Sequence, residues 1–318
     1  MPDAWENGVG ADPPLVLSGE HAHYAVTRAV GELGLGLRSV RTIPSLDFRM
    51  EAAALRAALE GAKREGRSVM AVVATAGSTA TGSFDDLESI GRLCAEHDVW
   101  LHVDGAHGAA ALLSRERRGL LAGLHLARSI AWDPHKMMLL PLSAGVVLVR
   151  DGRDLDAAFA QRAPYLFHGR ADGGGNVDQG VRSFQCSRRA DVLKVWAALQ
   201  RYGADAIGVV FDHLCSVARA MWGQILARHD FVALHEPSSN ILCFRWVGDG
   251  SLDAEALDLV NLELRERYNR SGEGWLTTTV LGGRRVLRVT IMNPRTTEAD
   301  VRDVLDGLAR VAAALPGG

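Results

Sequence analysis

Short apolar runs that end abruptly at polar turns are the feature that most constrains how this chain folds. Val69 to Ala74 (VMAVVA) is unbroken, and Leu15–Leu17, Val99–Val103, Ser129–Trp132 and Ala144–Val149 are further runs of strand length. An unbroken apolar run bounded by turn residues reads as a strand buried on both faces. Helix patterns lie between the runs. Residues 50–65 carry Leu55, Leu59 and Ala62 at helical spacing and stop at Gly66, which suits a glycine cap. Leu87, Ile90 and Cys94 repeat in the same way, and Ser83 with Asp86 reads as the N-cap arrangement of that helix. Strands alternating with helices indicate an α/β fold with a mixed, mostly parallel sheet and flanking helices.

The pattern changes at residues 167–183. HGRADGGGNVDQGVRS has three consecutive glycines and few apolar groups, so a mobile loop is expected there. A helix over 188–201 follows, bearing Val192, Val195, Trp196 and Leu199. A smaller α+β domain is expected over 204–318, with a helix at 209–228, a strand at 241–246 and a helix at 253–268. Strands at 275–281 and 285–291 and a last helix at 297–313 complete it. The organisation expected is a loose arm at 1–14, a larger domain at 15–203 and this smaller C-terminal domain.

A formal net charge of −3 gives no reason to expect nucleic acid or a membrane surface as partner. Met137–Val149, the longest apolar run, is interrupted by Pro141 and too short to span a bilayer. MPDAWENGVG lacks the basic and apolar regions of a secretory signal. Cys94, Cys186, Cys215 and Cys243 are far apart, which fits reduced thiols in a cytoplasmic protein.

The chemistry concentrates between Trp100 and Val149. One apolar run ends at Asp104 and the next delivers Asp133-Pro134-His135-Lys136. Ligands of open α/β sheets sit outside the carboxyl ends of the strands, so one crevice receives a carboxylate and an amine. An amine that forms an imine with an aldehyde, facing an acid that keeps a pyridinium protonated, is the minimal set for pyridoxal phosphate chemistry. An unpaired carboxylate at a buried strand end costs several kcal/mol, which a protonated ring nitrogen offsets. The alternative for Asp104 is to cap a helix over 105–113.

Several segments, taken in order, resemble the group II pyridoxal-phosphate-dependent amino-acid decarboxylases. They are TAGST at 75–79, HVDxAH at 102–107, DPHK at 133–136 and QCSRRADVLKVW at 185–196, the last most similar to the glutamate and 2,4-diaminobutyrate branch. The resemblance runs from about Leu15 to about Ala313. It implies the fold type I architecture, pyridoxal 5'-phosphate as cofactor, a small amino acid as substrate and a decarboxylase activity. Lys136 would form the Schiff base, with Asp133 beside it, and Asp104 would hold the pyridinium. Ala106 would lie beneath the ring and His23 would stack on its other face, His21 being the competing histidine. His135 would reach the phosphate or the substrate carboxylate, or serve as a hydrogen-bonded core histidine. Thr79 would lie near the ring hydroxyl, or be a plain turn residue. Arg288, between apolar neighbours in VLRVTIMNP, would bind a substrate carboxylate, a structural salt bridge being the other reading.

The chain departs from the family in two ways. Family members carry a long segment before the part equivalent to Leu15, including a Gly-Ser-rich turn that cradles the cofactor phosphate. The expectation is therefore an N-terminally truncated chain or one half of a split enzyme, completed by a second polypeptide or working as a homodimer. The family also carries a loop tyrosine that returns a proton after carbon dioxide leaves, and Val177 occupies its position. That substitution opens an oxidative, aldehyde-forming outcome. A non-catalytic partner subunit of a complete homologue is the third reading.

Overall fold

The computed structural model describes residues 4–159 and 179–315. After a four-residue helix α1 (Ala4–Asn7), the chain enters β1 (Leu15–Gly19), α2 (Ala25–Glu32) and β2 (Val40–Ile43). A small hairpin, β3 (Ser45–Leu46) and β4 (Arg49–Met50), precedes α3 (Ala52–Arg64), β5 (Val69–Thr75), α4 (Leu87–Glu96) and β6 (Trp100–Asp104). Short 3-10 turns lead to β7 (Ser129–Trp132), β8 (Val146–Val149) and α5 (Gly152–Ala158). The six-stranded sheet runs β2-β1-β5-β6-β7-β8, parallel except for β8, which is antiparallel to β7. The mixed α/β sheet read from the apolar runs is the one observed.

Strand alternation gives the sheet two unlike faces. Leu17, Val72, Ala74, Leu101 and Val103 point to one face and are all buried against Leu55, Leu59, Leu87, Ile90 and Cys94 of α3 and α4. Each of these fully buried aliphatic side chains contributes roughly 1.5–3 kcal/mol of transfer free energy. The register puts Val16, Ala71 and Trp100 in one row on the opposite face, and Val73, His102 and Ser129 in the next. Among the described residues α2 packs on that face, through Val30 against Val16 and Val73, with Leu35 and Val9 beside it.

The second half of the described chain forms α6 (Val192–Leu226), β9 (Phe231–Ala233), β10 (Ile241–Trp246), α7 (Ala254–Ser271), β11 (Thr277–Leu281), β12 (Arg284–Thr290) and α8 (Glu298–Ala313). Its antiparallel sheet has the order β11-β12-β10-β9. Leu214, Met221, Phe244, Leu264, Tyr268, Leu287 and Leu305 form a second apolar cluster. Two ends are capped as their residue types dictate: Asp253 accepts from Glu255 and Ala256 amides, and Thr297 with Asp300 forms a capping box.

Three local expectations are corrected. Asp86, not Ser83, caps α4, with Oδ1 accepting from the Ser89 amide at 3.0 Å. The Ser83 hydroxyl instead donates to the Phe48 carbonyl at 2.7 Å and joins a buried hydroxyl cluster with Ser78 and Thr81. Helix begins at Val192 and not at Arg188; the two helices expected at 188–201 and 209–228 are both present within α6 and abut at Gly203, whose backbone is non-helical (φ 77°, ψ 163°), so the second starts earlier than 209. Of the expected loop, Gln179–Val181 forms a 3-10 turn with Gly180 and Val181 buried, while 167–178, including Val177, lies outside the described residues. Tyr165 does too. No helix among the described residues is long and apolar enough to cross a membrane.

Candidate active site

β5, β6 and β7 are adjacent and parallel, so their carboxyl ends open at one edge of the sheet. Asp104 is the last residue of β6 and pairs in register with Ala131 of β7, two residues before Asp133. The following turns are tied together: Gly105 donates to the Ala131 carbonyl at 3.0 Å and Asp133 donates to that of Ala106 at 3.2 Å. A third turn enters from β5. At Gly77 (φ +83°) a side chain would meet the Gly108 amide nitrogen at 2.7 Å, so only glycine permits this close approach.

A cavity of about 730 Å³ lies at this edge, lined by His23, Thr79, Asp104, Ala106, Asp133 and Lys136 among others. The Lys136 ammonium is 3.0 Å from Asp133 Oδ2. Asp104 Oδ1 accepts from the Ala106 amide at 3.1 Å, and its other oxygen has no hydrogen-bond partner among the described residues. Asp104 therefore acts in part as the turn acceptor of the alternative reading, yet keeps one oxygen for a donor in the cavity. The 3-10 turn at Gly108–Leu113 takes its N-cap from His107, without a side-chain bond.

His23 lines the cavity, whereas His21 does not and sits 3.3 Å from Glu20. Two expected residues stand apart from the lining. His135 is held by Ala144, its Nδ1 2.8 Å from that carbonyl oxygen. Arg288 reaches across from β12, its Nε donating to the Ala80 carbonyl at 3.1 Å, one residue beyond Thr79. Arg288 makes no ion pair among the described residues, so none of these supplies the structural salt bridge weighed for it. Burial lowers its guanidinium pKa.

Three contributors were missed from sequence. His107 lines the cavity, and its Nε2 lies 2.8 Å from Asn240 Oδ1. Asn240 is fully buried, and its amide nitrogen donates to the Ile291 carbonyl at 2.8 Å, which fixes the amide orientation. His107 Nε2 must then carry the proton, leaving Nδ1 as an acceptor. Burial, with the Lys136 and Arg288 charges, pulls the His107 pKa down to about 4. Its position in HVDxAH was the available signal; Asn240 offered none. Asp85, also buried, accepts at 2.7 Å from the amides of both Thr75 and Met50 and so anchors the end of β5. Burial raises its carboxyl pKa against those two bonds.

Three of the four thiols are buried. Burial pushes Cys94, Cys215 and Cys243 up to about 12, and Cys243 donates to the Ala80 carbonyl.

An α/β chain of this topology, with a lysine and an aspartate at adjacent strand ends, matches solved structures of amino-acid decarboxylases. The crystal structure of mouse CSAD is 31% identical, with a TM-score of 0.91, covering 98% of this chain and 67% of that one. The glutamate decarboxylase domain of a diaminobutyrate-pyruvate transaminase and L-2,4-diaminobutyrate decarboxylase from Vibrio parahaemolyticus is 29% identical, with a TM-score of 0.85 over 98% of this chain and 62% of that chain. The L-2,4-diaminobutyrate decarboxylase of Rhizobium meliloti (strain 1021) is 36% identical over 315 residues, 99% of this chain and 62% of that protein. The profile described as the pyridoxal-dependent decarboxylase conserved domain matches residues 4–247. The chain belongs to the pyridoxal-dependent decarboxylase family, whose cofactor is pyridoxal 5'-phosphate. It spans less than two thirds of the length of the Rhizobium relative.

Proposed function

We propose that this chain is the lysine-bearing part of a pyridoxal-phosphate-dependent decarboxylase-like enzyme that acts on a small amino acid, completed by a second polypeptide. The observation that carries the reading is the single cavity shared by Lys136, Asp133, Asp104, Ala106, Thr79 and His23. The fit to the cofactor rests on chemistry. Asp104 keeps a carboxylate oxygen without a donor among the described residues, and an amine lies at the neighbouring strand end. Bound pyridoxal phosphate supplies an aldehyde that captures amines and a ring that draws off the electron pair left when a carboxylate departs.

The chain's own residues have the following roles in this reading. Lys136 offers the amine for covalent attachment, and Asp133 steadies it. Asp104 holds a proton on the ring nitrogen, Ala106 leaves room beneath the ring and His23 packs on its other side. Thr79 lies toward the ring hydroxyl. His135 stands close enough behind Lys136 to orient it through Asp133, 3.9 Å away. Arg288, without a counter-ion among the described residues, takes a substrate carboxylate. The second polypeptide supplies phosphate donors. In the 75–83 turn the hydroxyls of Ser78, Thr81 and Ser83 bond one another, which leaves them poorly placed to serve a ligand. We also read 15–203 and 204–318 as two domains, the bend at Gly203 marking the join, although Phe211 and Cys215 pack into the first apolar cluster.

A second outcome is favoured by Val177 standing where the resemblance expects the proton-donating tyrosine. The amino acid would then react with dioxygen and water to give an aldehyde, carbon dioxide, ammonia and hydrogen peroxide. The third possibility, a non-catalytic subunit, predicts no covalent cofactor. Purified chain, alone and with co-purifying polypeptides, should be incubated with pyridoxal phosphate, reduced with borohydride and mapped by mass spectrometry. Label on Lys136, lost in Lys136→Ala, is the expected result; no label in any preparation overturns the reading. Amine against aldehyde and peroxide then separates the two chemistries, and labelled, active chain without any partner removes the second polypeptide.

A further inference from the structure

One more titratable side chain, His107, lines the cavity with Lys136, Asp104 and His23. It stands on the turn after β6, three residues beyond Asp104. Its ring is held at one edge. Nε2 lies 2.8 Å from Asn240 Oδ1, and the Asn240 amide nitrogen is committed to the Ile291 carbonyl at 2.8 Å. Nε2 therefore keeps the proton and Nδ1 keeps a lone pair. The Cδ2 edge, beside Nε2, faces the turn at Gly77, where a side-chain carbon would stand 3.5 Å away. No described residue donates to Nδ1, and that atom is not among the sealed polar atoms without a partner, so it opens onto the cavity.

The titratable and charged groups around the ring come from several elements. Asp104 ends β6, Asp133 and Lys136 follow β7, His23 precedes α2 and Arg288 comes from β12. The β5 turn and the start of β10 bring only the neutral Gly77, Thr79 and Asn240. Asp133 is engaged by Lys136 at 3.0 Å, and Asp104 accepts from the Ala106 amide. Arg288 has no counter-ion among the described residues. It pairs in register with Cys243, three residues after Asn240, and its bond to the Ala80 carbonyl puts it next to the turn that carries Thr79. Burial holds the imidazole neutral near pH 7, and the like charges of Lys136 and Arg288 add to that effect. An anion paired with Arg288 cancels one of those charges and brings an opposite one, and both changes favour imidazolium. The open lone pair at Nδ1 is where the proton can go.

We infer that His107 is a proton-linked positioning residue: a carboxylate that pairs with Arg288 draws one proton onto Nδ1, and the imidazolium then helps to hold that carboxylate. The inference rests on reading Arg288 as the seat of a substrate carboxylate. One N–H bond forms at Nδ1, the buffer gives up the proton, and nothing is oxidised or reduced. Asn240 sets the linkage by keeping Nε2 protonated, so that a second proton always makes a cation.

The probe is glutarate, a dicarboxylate without an amine, which cannot form an imine and so reports on this pair independently of cofactor chemistry. The full chain, with any polypeptide that co-purifies, is titrated by calorimetry in buffers of different ionisation enthalpy between pH 6.5 and 8, where glutarate stays ionised. Wild type should take up roughly half a proton or more per glutarate at pH 6.5, and its affinity should fall about twofold or more by pH 8. His107→Gln, which keeps a donor for Asn240, should bind with no uptake and a flat pH profile. Asn240→Asp, which charges the imidazole beforehand, should take up less than wild type at pH 6.5, and it decides the matter if His107→Gln fails to fold. Arg288→Gln should lose roughly tenfold or more in affinity. Equal uptake in wild type, His107→Gln and Asn240→Asp overturns the inference. So does Arg288-dependent binding without uptake, or no Arg288-dependent binding at all. Borohydride labelling of Lys136 in the same preparations reads the functional proposal separately. Label without uptake removes only the linkage, and uptake without label removes only the functional reading.

Discussion

The two faces of the six-stranded sheet carry the same backbone and opposite fates. On one, Leu17, Val72 and Val103 are wholly enclosed by α3 and α4. On the other, their immediate sequence neighbours Val16, Ala71 and His102 floor a cavity that opens at Lys136. The packed face supplies stability and the cavity face supplies chemistry. Because strand side chains alternate, one run of residues serves both, and a slip of one residue in β6 would bury Asp104 and expose Val103.

The largest effect expected from this contrast is on the packed face. Leu17→Ala should cost about 2–5 kcal/mol in denaturant unfolding, because a close-packed site collapses poorly around a deletion. Ala71→Ser, one strand away on the cavity face, should change stability by less than about 0.5 kcal/mol. Equal costs would erase the distinction between the faces.

At the carboxyl edge, His107 links the cavity to acid stability. Its folded pKa, about 4, lies below the ordinary 6.5. The unfolded chain therefore binds the proton first, and stability contributed by neutral His107 is lost as pH falls from 6.5 toward 4. The loss is up to about 3 kcal/mol. His107→Gln should flatten that stretch of the stability–pH curve, whereas Asn240→Asp should raise the imidazole pKa and move the transition toward neutrality. An unchanged curve in both variants would mean that His107 is open to solvent.

Asp85, where the packed face meets the cavity edge, should respond in the opposite direction. Burial raises its folded pKa above 3.8, so its contribution is greatest at low pH and declines as pH rises through the folded value. Asp85→Asn should remove that decline and still lower stability by about 1–3 kcal/mol, because one amide oxygen replaces two carboxylate acceptors for Thr75 and Met50. Thermal melts between pH 3 and 7 would show both.

The smallest effect concerns the cavity floor. Trp100→Phe keeps the ring and loses the bond to Ser129, which should cost about 1 kcal/mol in chemical denaturation. A larger loss would show that the floor is part of the core.

The sequence read the strand ends well because their signal is local. An apolar run stops where its strand stops, so Asp104 and Lys136 could be put at one edge from spacing alone. The reading failed where local cues compete. AVTRAVGE, with its β-branched residues and glycine, gave no helix signal, yet α2 forms because Val30 packs on Val16 and Val73. Ser83 has the right residue type for a cap and is instead drawn into a buried hydroxyl cluster.

What the sequence by itself determined was the parallel sheet, the helices of the packed face and the residues that end β6 and follow β7, because periodicity and turn chemistry act over a few residues. Only the tertiary structure decided that Arg288 meets Ala80, 208 positions away, and that Asn240 fixes the proton of His107. It also decided that the face carrying Val16, Ala71 and His102 lines the cavity at Lys136. Such meetings depend on where two sheets pack and on which side each crossover passes, and no short window of residues carries that information.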